Sequence, residues 1–225
     1  DPGGLLSLLR GCIIWRHEEP GNVAAQYALA KTYGELHRWK RSMHKSAGKG
    51  AVPDALEREA SAYMKEFRRE MEHAVGMAPE LVYPYYDLLD WAEAYGQREM
   101  QFELLRRILE LAPDDLDANL RMMTLCARHI AVDPRTARPE MVAAAIRYAR
   151  RVLDLDPGNP TAWYRLGYAH QMSGRYEKAI EYYGRCLELE KDPHSKRAQL
   201  CRFWIGEMTR EMREGTERPL IPLAE

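Results

Sequence analysis

Seven histidines are the residues of this chain best suited to catalysis or metal binding. Their spacing does not give the His-Glu-x-x-His pattern, in which two histidines one helical turn apart hold zinc. One histidine is followed by two glutamates, Glu18 and Glu19, but these residues end an expected helix and do not share one of its faces. We interpret the histidines as surface or core residues and expect no catalytic or metal site: His17, His37, His44, His73, His129, His170 and His194.

Four cysteines and one short glycine-lysine segment could also carry chemistry. Cys12, Cys126, Cys186 and Cys201 lie far apart in sequence and lack the close pairs typical of zinc or haem attachment. Gly48-Lys49-Gly50 lacks the earlier glycine and the following serine or threonine of a phosphate-binding loop, so we interpret it as a hairpin tip. No cofactor is therefore expected.

The composition gives no reason to expect nucleic-acid binding. Hydrophobic residues make up 46% of the 225 residues and charged residues 30%, which suffices for a packed core. The net charge is −1 and the isoelectric point about 6.7. No run of apolar residues is long enough to span a bilayer. Because the sequence starts at Asp1 without a methionine, we interpret it as a processed or trimmed chain.

Residues 162–187 carry a pattern of small and large residues at fixed spacing, and this stretch resembles a complete tetratricopeptide repeat. In that family each 34-residue unit consists of two antiparallel helices, A and B. His170 departs from the pattern, where tyrosine is usual, and Lys191 departs where proline usually closes helix B. The resemblance implies contacts between helix A and helix B through Trp163, Leu166 and Gly167 on one side and Ala179, Tyr183 and Cys186 on the other.

One repeat cannot bury its own apolar face, so neighbouring repeats are expected. Prolines that end apolar helical runs predict where these lie: Pro20, Pro79, Pro113 and Pro157. The predicted segments of a single domain, 1–225, are an N-terminal helix (4–16), repeat 1 with a long hairpin insertion (22–79), repeat 2 (82–113), repeat 3 with a loop insertion (116–157), repeat 4 (160–191), a capping helix (194–213) and an extended tail (214–225).

Insertions should alter the first and third repeats. Residues 22–45 lack a helix breaker other than Gly34, which predicts a helix of about six turns. A loop over 46–53 should follow, and Asp54 should cap the next helix. The first hairpin is thus expected to protrude. In the third repeat, residues 132–139 should form a surface loop, with Pro139 in the first turn of the following helix.

The resemblance also implies which positions of the A helices face the concave groove of a tetratricopeptide superhelix. Tyrosines dominate this set, and their amphipathic rings suit peptide binding. Acidic residues lie in the second repeat and basic residues in the third and fourth, so we expect a peptide with one basic and one acidic end. The groove residues are Tyr27, Lys31, Tyr83, Tyr86, Asp87, Asp90, Arg121, Thr124, Arg128, Tyr164, Arg165 and Tyr168.

Two alternatives remain for these groove residues. The chain departs from the lysine and asparagine pattern of the carboxylate-clamp subgroup, although Arg121 and Arg165 could still bind a carboxylate. The same side chains could also simply solvate the groove or pair with one another.

A second candidate surface is the basic end of the long first helix. Its residues suit an acidic protein partner or an anionic membrane surface, or they merely complement the helix C-terminus. They are Arg38, Trp39, Lys40, Arg41 and Lys45.

The sequence therefore predicts an all-α fold, a right-handed α-solenoid of about four helix pairs with N- and C-terminal capping helices. Cys126 and Cys186 fall on positions that face the core, which favours free buried thiols and, weakly, a cytoplasmic location. We expect a non-catalytic adaptor that binds a partner peptide or protein. Two alternatives are a domain of a larger enzyme, secretion or envelope-biogenesis machine, and a scaffold that associates with itself.

Overall fold

A computed structural model describes residues 2–46, 51–132 and 139–215, and all regular secondary structure within them is α-helical. The helices of these residues are α1 (Pro2–Glu18), α2 (Val23–Ser46), α3 (Ala51–Met77), α4 (Val82–Ala94), α5 (Arg98–Leu111), α6 (Leu116–Val132), α7 (Pro139–Leu155), α8 (Pro160–Met172), α9 (Tyr176–Leu189) and α10 (Lys196–Glu214).

Consecutive helices form four antiparallel pairs, α2 with α3, α4 with α5, α6 with α7 and α8 with α9. α1 packs on the first pair and α10 on the last, as expected for capping helices of an α-solenoid. The chain divides into two compact units, Asp1–Leu111 with α1 to α5 and Ala112–Glu225 with α6 to α10. Each unit is described by itself below.

Side chains before the helices satisfy free backbone amides at their N-termini. The Asn159 side chain accepts from Ala162 N at 3.1 Å, and Pro160 occupies the first turn of α8, where its missing N–H costs nothing. Ser195 accepts from Ala198 N at 3.1 Å at the start of α10. These caps fix where the A helix of repeat 4 and the terminal helix begin.

Glycines with positive φ close the turns inside the second and fourth pairs. Gly96 has φ 65° and Gly174 has φ 68°, a conformation that other residues rarely adopt. Each turn is also closed by a bond from the next amide to a carbonyl five residues earlier, Gln97 N to Ala92 O at 2.8 Å and Arg175 N to His170 O at 2.9 Å.

The core of the fourth pair depends on one close approach between α8 and α9. An added Cβ at Gly167 would lie 2.8 Å from the Tyr183 ring, so only glycine fits there. Tyr183 is fully buried and donates its hydroxyl to Gln171 Oε1 at 2.7 Å. The contact that the tetratricopeptide pattern implied is present.

The first pair is much longer than the fourth. α2 has 24 residues and α3 has 27, against 13 and 14 in α8 and α9. α2 agrees closely with the helix predicted for 22–45. The prediction that α3 begins at Asp54 was wrong, because the helix begins at Ala51 and places Asp54 in its first turn. Pro53 did not prevent this, since proline is tolerated in the first helical turn.

The flanking helices bury only part of their apolar side chains. On α1, Cys12 is buried while Ile13 and Ile14 are exposed. On α10, Met208 is buried but Phe203 is 55% exposed.

α7 begins at Pro139, as predicted, and all four cysteines are buried and free. The predicted loop residues 133–138, the hairpin tip at 47–50 and tail residues 216–225 lie outside the described residues.

Candidate peptide-binding surfaces

In the first unit, four of the predicted groove residues meet between α2 and α4. Tyr27 donates its hydroxyl to Asp87 Oδ2 at 2.5 Å, and Lys31 Nζ donates to Asp87 Oδ1 at 2.7 Å. The ring of Tyr83 lies edge-on to that of Tyr27, with 4.6 Å between their centroids. We call this set of four residues the tyrosine face.

The tyrosine face is largely satisfied by its own contacts. Burial, followed by the hydrogen bond and charge of Asp87, raises the pKa of the Tyr27 hydroxyl. Lys31 neutralises the same carboxylate. The negative charge expected of Asp87 is therefore not available to a ligand. On α4, which carries Asp87, Tyr86 is half-buried and Asp90 is exposed.

In the second unit, the predicted residues of α6 share one helical face. Arg121 Nε donates to Asp117 Oδ2 at 2.8 Å, one turn earlier, so part of its charge is compensated within the helix. Thr124 is half-buried and Arg128 is exposed. Within the described residues, no carboxylate forms an ion pair with Arg128.

Arg165 on α8 is the most unusual of the predicted residues. It is half-buried, its Nε is enclosed without a hydrogen-bond partner, and no ion pair reaches it from the described part of the chain. Burial lowers the pKa of its guanidinium, and the neighbouring charge of Arg128 lowers it further. Its guanidinium carbon lies 5.6 Å from the centroid of the Tyr164 ring, a cation–π contact.

Tyr164 and Tyr168 flank Arg165 and also contribute to the core. Both pack against the buried cluster that contains Tyr183 and Cys186. Burial raises the pKa of both hydroxyls. They therefore form the fixed walls around the arginine. Arg128, Tyr164, Arg165 and Tyr168 are called the arginine face.

The basic end of α2 divides into two sides. Lys40 forms an ion pair with Glu59 of α3, and its Nζ lies 4.8 Å from the centroid of the Trp39 ring. Arg38, Arg41 and Lys45 are exposed on a different side of the helix. The sequence could not separate these five residues, because the partner of Lys40 belongs to the following helix.

Metal sites and membrane-spanning helices are both absent from the described segments. No group of three or more histidine, cysteine, aspartate or glutamate side chains there could hold a metal ion. Of the helices described, none combines the length and the apolar character needed to cross a bilayer.

Comparison with known proteins agrees with this architecture. Residues 160–193 match the family model of the tetratricopeptide repeat, the segment that contains α8, α9 and the Gly167 contact. These residues therefore form a tetratricopeptide repeat. No curated protein matches the sequence of the chain.

Solved tetratricopeptide structures share the fold over most of this chain. YrrB, described as a tetratricopeptide protein with an unusual peptide-binding site, is similar with a TM-score of 0.59 and 18% identity, covering 89% of this chain and 84% of its own. MamA gives 0.55 and 17%, covering 85% and 86%. MamA from Desulfovibrio magneticus RS-1 gives 0.51 and 17%, covering 80% and 92%. At these identities the likeness shows the fold alone.

The sequence analysis missed one further contact, in which His37 of α2 meets Tyr95 at the end of α4. No motif announces it, because the two residues are 58 positions apart and meet only after the first pair is folded.

Proposed function

We propose that this protein is a non-catalytic adaptor that binds a partner peptide, and that the arginine face receives a carboxylate of that peptide. The observation that carries the proposal is Arg165, a half-buried guanidinium with an enclosed, unpartnered Nε beside a second arginine. The set belongs wholly to the second unit and involves α6 and α8, which contact each other.

Energetics favour a bound anion at this place. A buried polar group without a partner costs stability, and two neighbouring positive charges repel. A carboxylate would offset the repulsion between the two arginines and could accept two parallel bonds from the planar guanidinium. The Tyr164 and Tyr168 rings would contact the peptide around it with little loss of side-chain entropy, because they are already held by the core.

The remaining predicted groove residues take a secondary place in the proposal. The tyrosine face has its charges paired internally, and Arg121 is paired with Asp117. We therefore expect the carboxylate end of the peptide to contribute more affinity than a basic end. Peptide binding by YrrB, a protein of the same fold, is consistent with this kind of ligand.

Peptide selection followed by calorimetry tests the proposal. Peptides selected from a random display library on the unaltered chain should be enriched in acidic residues. Their affinity for the Arg128→Ala, Arg165→Ala double variant should fall about tenfold or more, as expected for lost charge-assisted hydrogen bonds.

The matched control is the Lys178→Ala, Arg185→Ala variant, which removes two exposed positive charges from α9 of the same unit. This control should keep the affinity within about twofold, because exposed charges contribute little. Equal affinity of both variants for the selected peptides would show that the arginine face is not the binding site.

Self-association is a second candidate function, favoured by the exposed apolar side of α1. Leu6, Ile13 and Ile14 are between 41% and 56% exposed on one side of the helix, and contiguous apolar surface often marks an interaction site. Light scattering over a concentration series should detect association that Ile13→Glu with Ile14→Glu abolishes. A concentration-independent monomer mass for the unaltered chain would exclude this candidate.

A further inference from the structure

A cavity of about 230 Å³ opens within the first unit between α2, α3 and α4. Met64 and Phe67 of α3 and Trp91 of α4 supply its apolar lining. Gly34 keeps α2 close to this lining, since an added Cβ would lie 3.1 Å from the Phe67 ring. The α2 residues that line the cavity run from Lys31 to Arg41, so the cavity reaches from the part of α2 that matches the 13 residues of α8 into the extension.

The wall of the cavity is held in place by hydrogen bonds across three helices. His37 Nδ1 lies 2.8 Å from the carbonyl oxygen of Ala60, so this nitrogen carries the proton and donates. In the neutral ring Nε2 then accepts from the Tyr95 hydroxyl, at 2.9 Å. Tyr95 in turn stacks on Trp91 with 5.3 Å between ring centroids. A wall fixed in this way loses little entropy when a ligand binds.

Positive charge surrounds one side of the opening. A hollow of about 400 Å³ shares His37, Arg38 and Arg41 with the cavity and continues to Lys45. Arg38 is paired with Glu35, an exposed contact of small value. In the described part of the chain, Arg41 and Lys45 have no ion pair with a carboxylate. Arg41 and Lys45 are one helical turn apart on the same face.

The acidic wall opposite does not cancel this charge. Asp87 is already bound by Lys31 and Tyr27, at 2.7 and 2.5 Å. Only Asp90 adds a further carboxylate to the lining. The opening therefore combines an apolar interior with a positively charged rim along α2.

We propose that this cavity binds an acidic peptide segment that carries one bulky apolar side chain. The apolar side chain inserts against Phe67 and Trp91, and flanking carboxylates contact Arg41 and Lys45. The volume favours a single side chain, because it is smaller than the roughly 300–1,000 Å³ of sites for drug-sized molecules. This site is separate from the arginine face, since it lies in the other unit.

Fluorescence anisotropy with a labelled synthetic peptide tests the proposal. The probe has one central phenylalanine flanked on both sides by glutamates, and it is added to the full chain. Two variants address the two parts of the site: Arg41→Ala with Lys45→Ala removes the rim charges, and Ala94→Leu fills the opening from an exposed position at the end of α4. Each should weaken binding about tenfold or more, and replacing the phenylalanine of the probe by alanine should do the same.

The matched control is Arg58→Ala with Lys65→Ala, which removes two exposed charges from α3 outside the cavity and should change affinity by less than about twofold. The Arg128→Ala, Arg165→Ala variant should also bind the probe normally, which separates this site from the arginine face. The proposal would be overturned if Arg41→Ala with Lys45→Ala and Arg58→Ala with Lys65→Ala weakened binding of the probe equally. Unchanged binding of the probe by Ala94→Leu would also overturn it. So would an absence of peptide binding, or binding of phosphatidylserine vesicles that Arg41→Ala with Lys45→Ala abolishes and Ala94→Leu leaves intact.

Discussion

The first and fourth helix pairs share one architecture but hold their buried histidines in opposite ways. In the first pair, His37 has partners for both ring nitrogens, Ala60 and Tyr95. In the fourth pair, the fully buried His170 has no hydrogen-bond partner for either nitrogen among the described residues. Length explains the difference, because the extended α2 places His37 opposite the end of α4, whereas His170 lies within a repeat of standard length.

Buried charge follows the same division. Glu70 of α3 is buried and receives bonds from Gln26 at 2.6 Å, Arg69 at 2.5 Å and Arg16 at 3.0 Å. Burial alone would raise the pKa of this carboxyl, but the bonds from Arg69 and Gln26 outweigh it and hold the pKa below its usual value. The first pair is therefore connected to α1 by a buried carboxylate, whereas α10 joins the fourth pair through apolar packing and a hydrogen bond from Arg197 to Thr161.

The largest effect should come from the packing contact of the fourth pair. Gly167→Leu should lower the free energy of unfolding by about 3 kcal/mol, the upper part of the usual range for overpacking. The reason is that Tyr183 cannot move aside, because it is fully buried and its hydroxyl is bound to Gln171. Urea denaturation followed by circular dichroism measures the change.

A matched alanine pair isolates the contact from helix propensity. Gly184, on α9, has no atom within 4 Å of an added Cβ. Gly184→Ala should therefore stabilise the protein by roughly 0.5–1 kcal/mol, while Gly167→Ala should destabilise it. If both alanine variants were stabilised alike, the close approach of α8 and α9 would not exist in solution.

Breaking the histidine contact of the first pair should have the next largest effect. His37→Phe leaves the Tyr95 hydroxyl and the Ala60 carbonyl without this partner, and we expect a loss of about 2 kcal/mol for the two bonds. His73→Phe, at an exposed position of α3, is the control and should change stability by less than about 0.5 kcal/mol. Similar losses in both variants would mean that the His37 bonds contribute no stability.

Sequence reasoning succeeded where a contact lies within one repeat of standard length. The Gly167 approach and the burial of Cys186 follow from local pattern, since partners are a few turns apart. Where partners come from different helix pairs, the sequence left pairing within the groove as one of two alternatives and could not choose between them. Lys31 and Asp87 are 56 residues apart in sequence. Whether their side chains meet depends on the length and direction of α2. The repeat pattern placed Arg165 among the groove residues. It did not predict that the Nε atom of Arg165 has no hydrogen-bond partner among the described residues.

Replacing His170 should change the free energy of unfolding by a smaller amount at neutral pH, and this change should become larger in acid. Burial, followed by the charges of Arg175, Lys178 and Arg150, lowers the pKa of this ring from 6.5 to about 4. Between these two values the unfolded chain binds a proton that the folded chain does not, so stability falls as the pH decreases through this window. His170→Phe removes the titrating group and should stabilise the protein by about 1 kcal/mol at pH 7, with a larger gain at pH 5.

Urea denaturation at several pH values measures the difference between His170→Phe and the unaltered chain. Any misfit of the larger phenylalanine ring changes the free energy of unfolding by the same amount at pH 7 and at pH 5. The decisive quantity is therefore how the stability difference between the variant and the unaltered chain changes with pH. His170→Leu provides a second side chain without a titrating group. A difference that stays constant from pH 7 to pH 5 would show that the ring is protonated as easily in the folded as in the unfolded chain.

The smallest effect is expected where the first pair has a glycine contact of its own. An added Cβ at Gly34 would meet the Phe67 ring at 3.1 Å, a tight distance, but Phe67 borders the cavity and has space into which it can shift. Gly34→Ala should therefore change the free energy of unfolding by less than about 0.5 kcal/mol, because the helix-propensity gain of up to ~1 kcal/mol offsets the contact. The same variant should weaken binding of the phenylalanine probe, since the displaced ring occupies part of the cavity. A loss of stability as large as that of Gly167→Ala would instead show that Phe67 is held as firmly as Tyr183, and the contrast between the two pairs would then not extend to their glycine contacts.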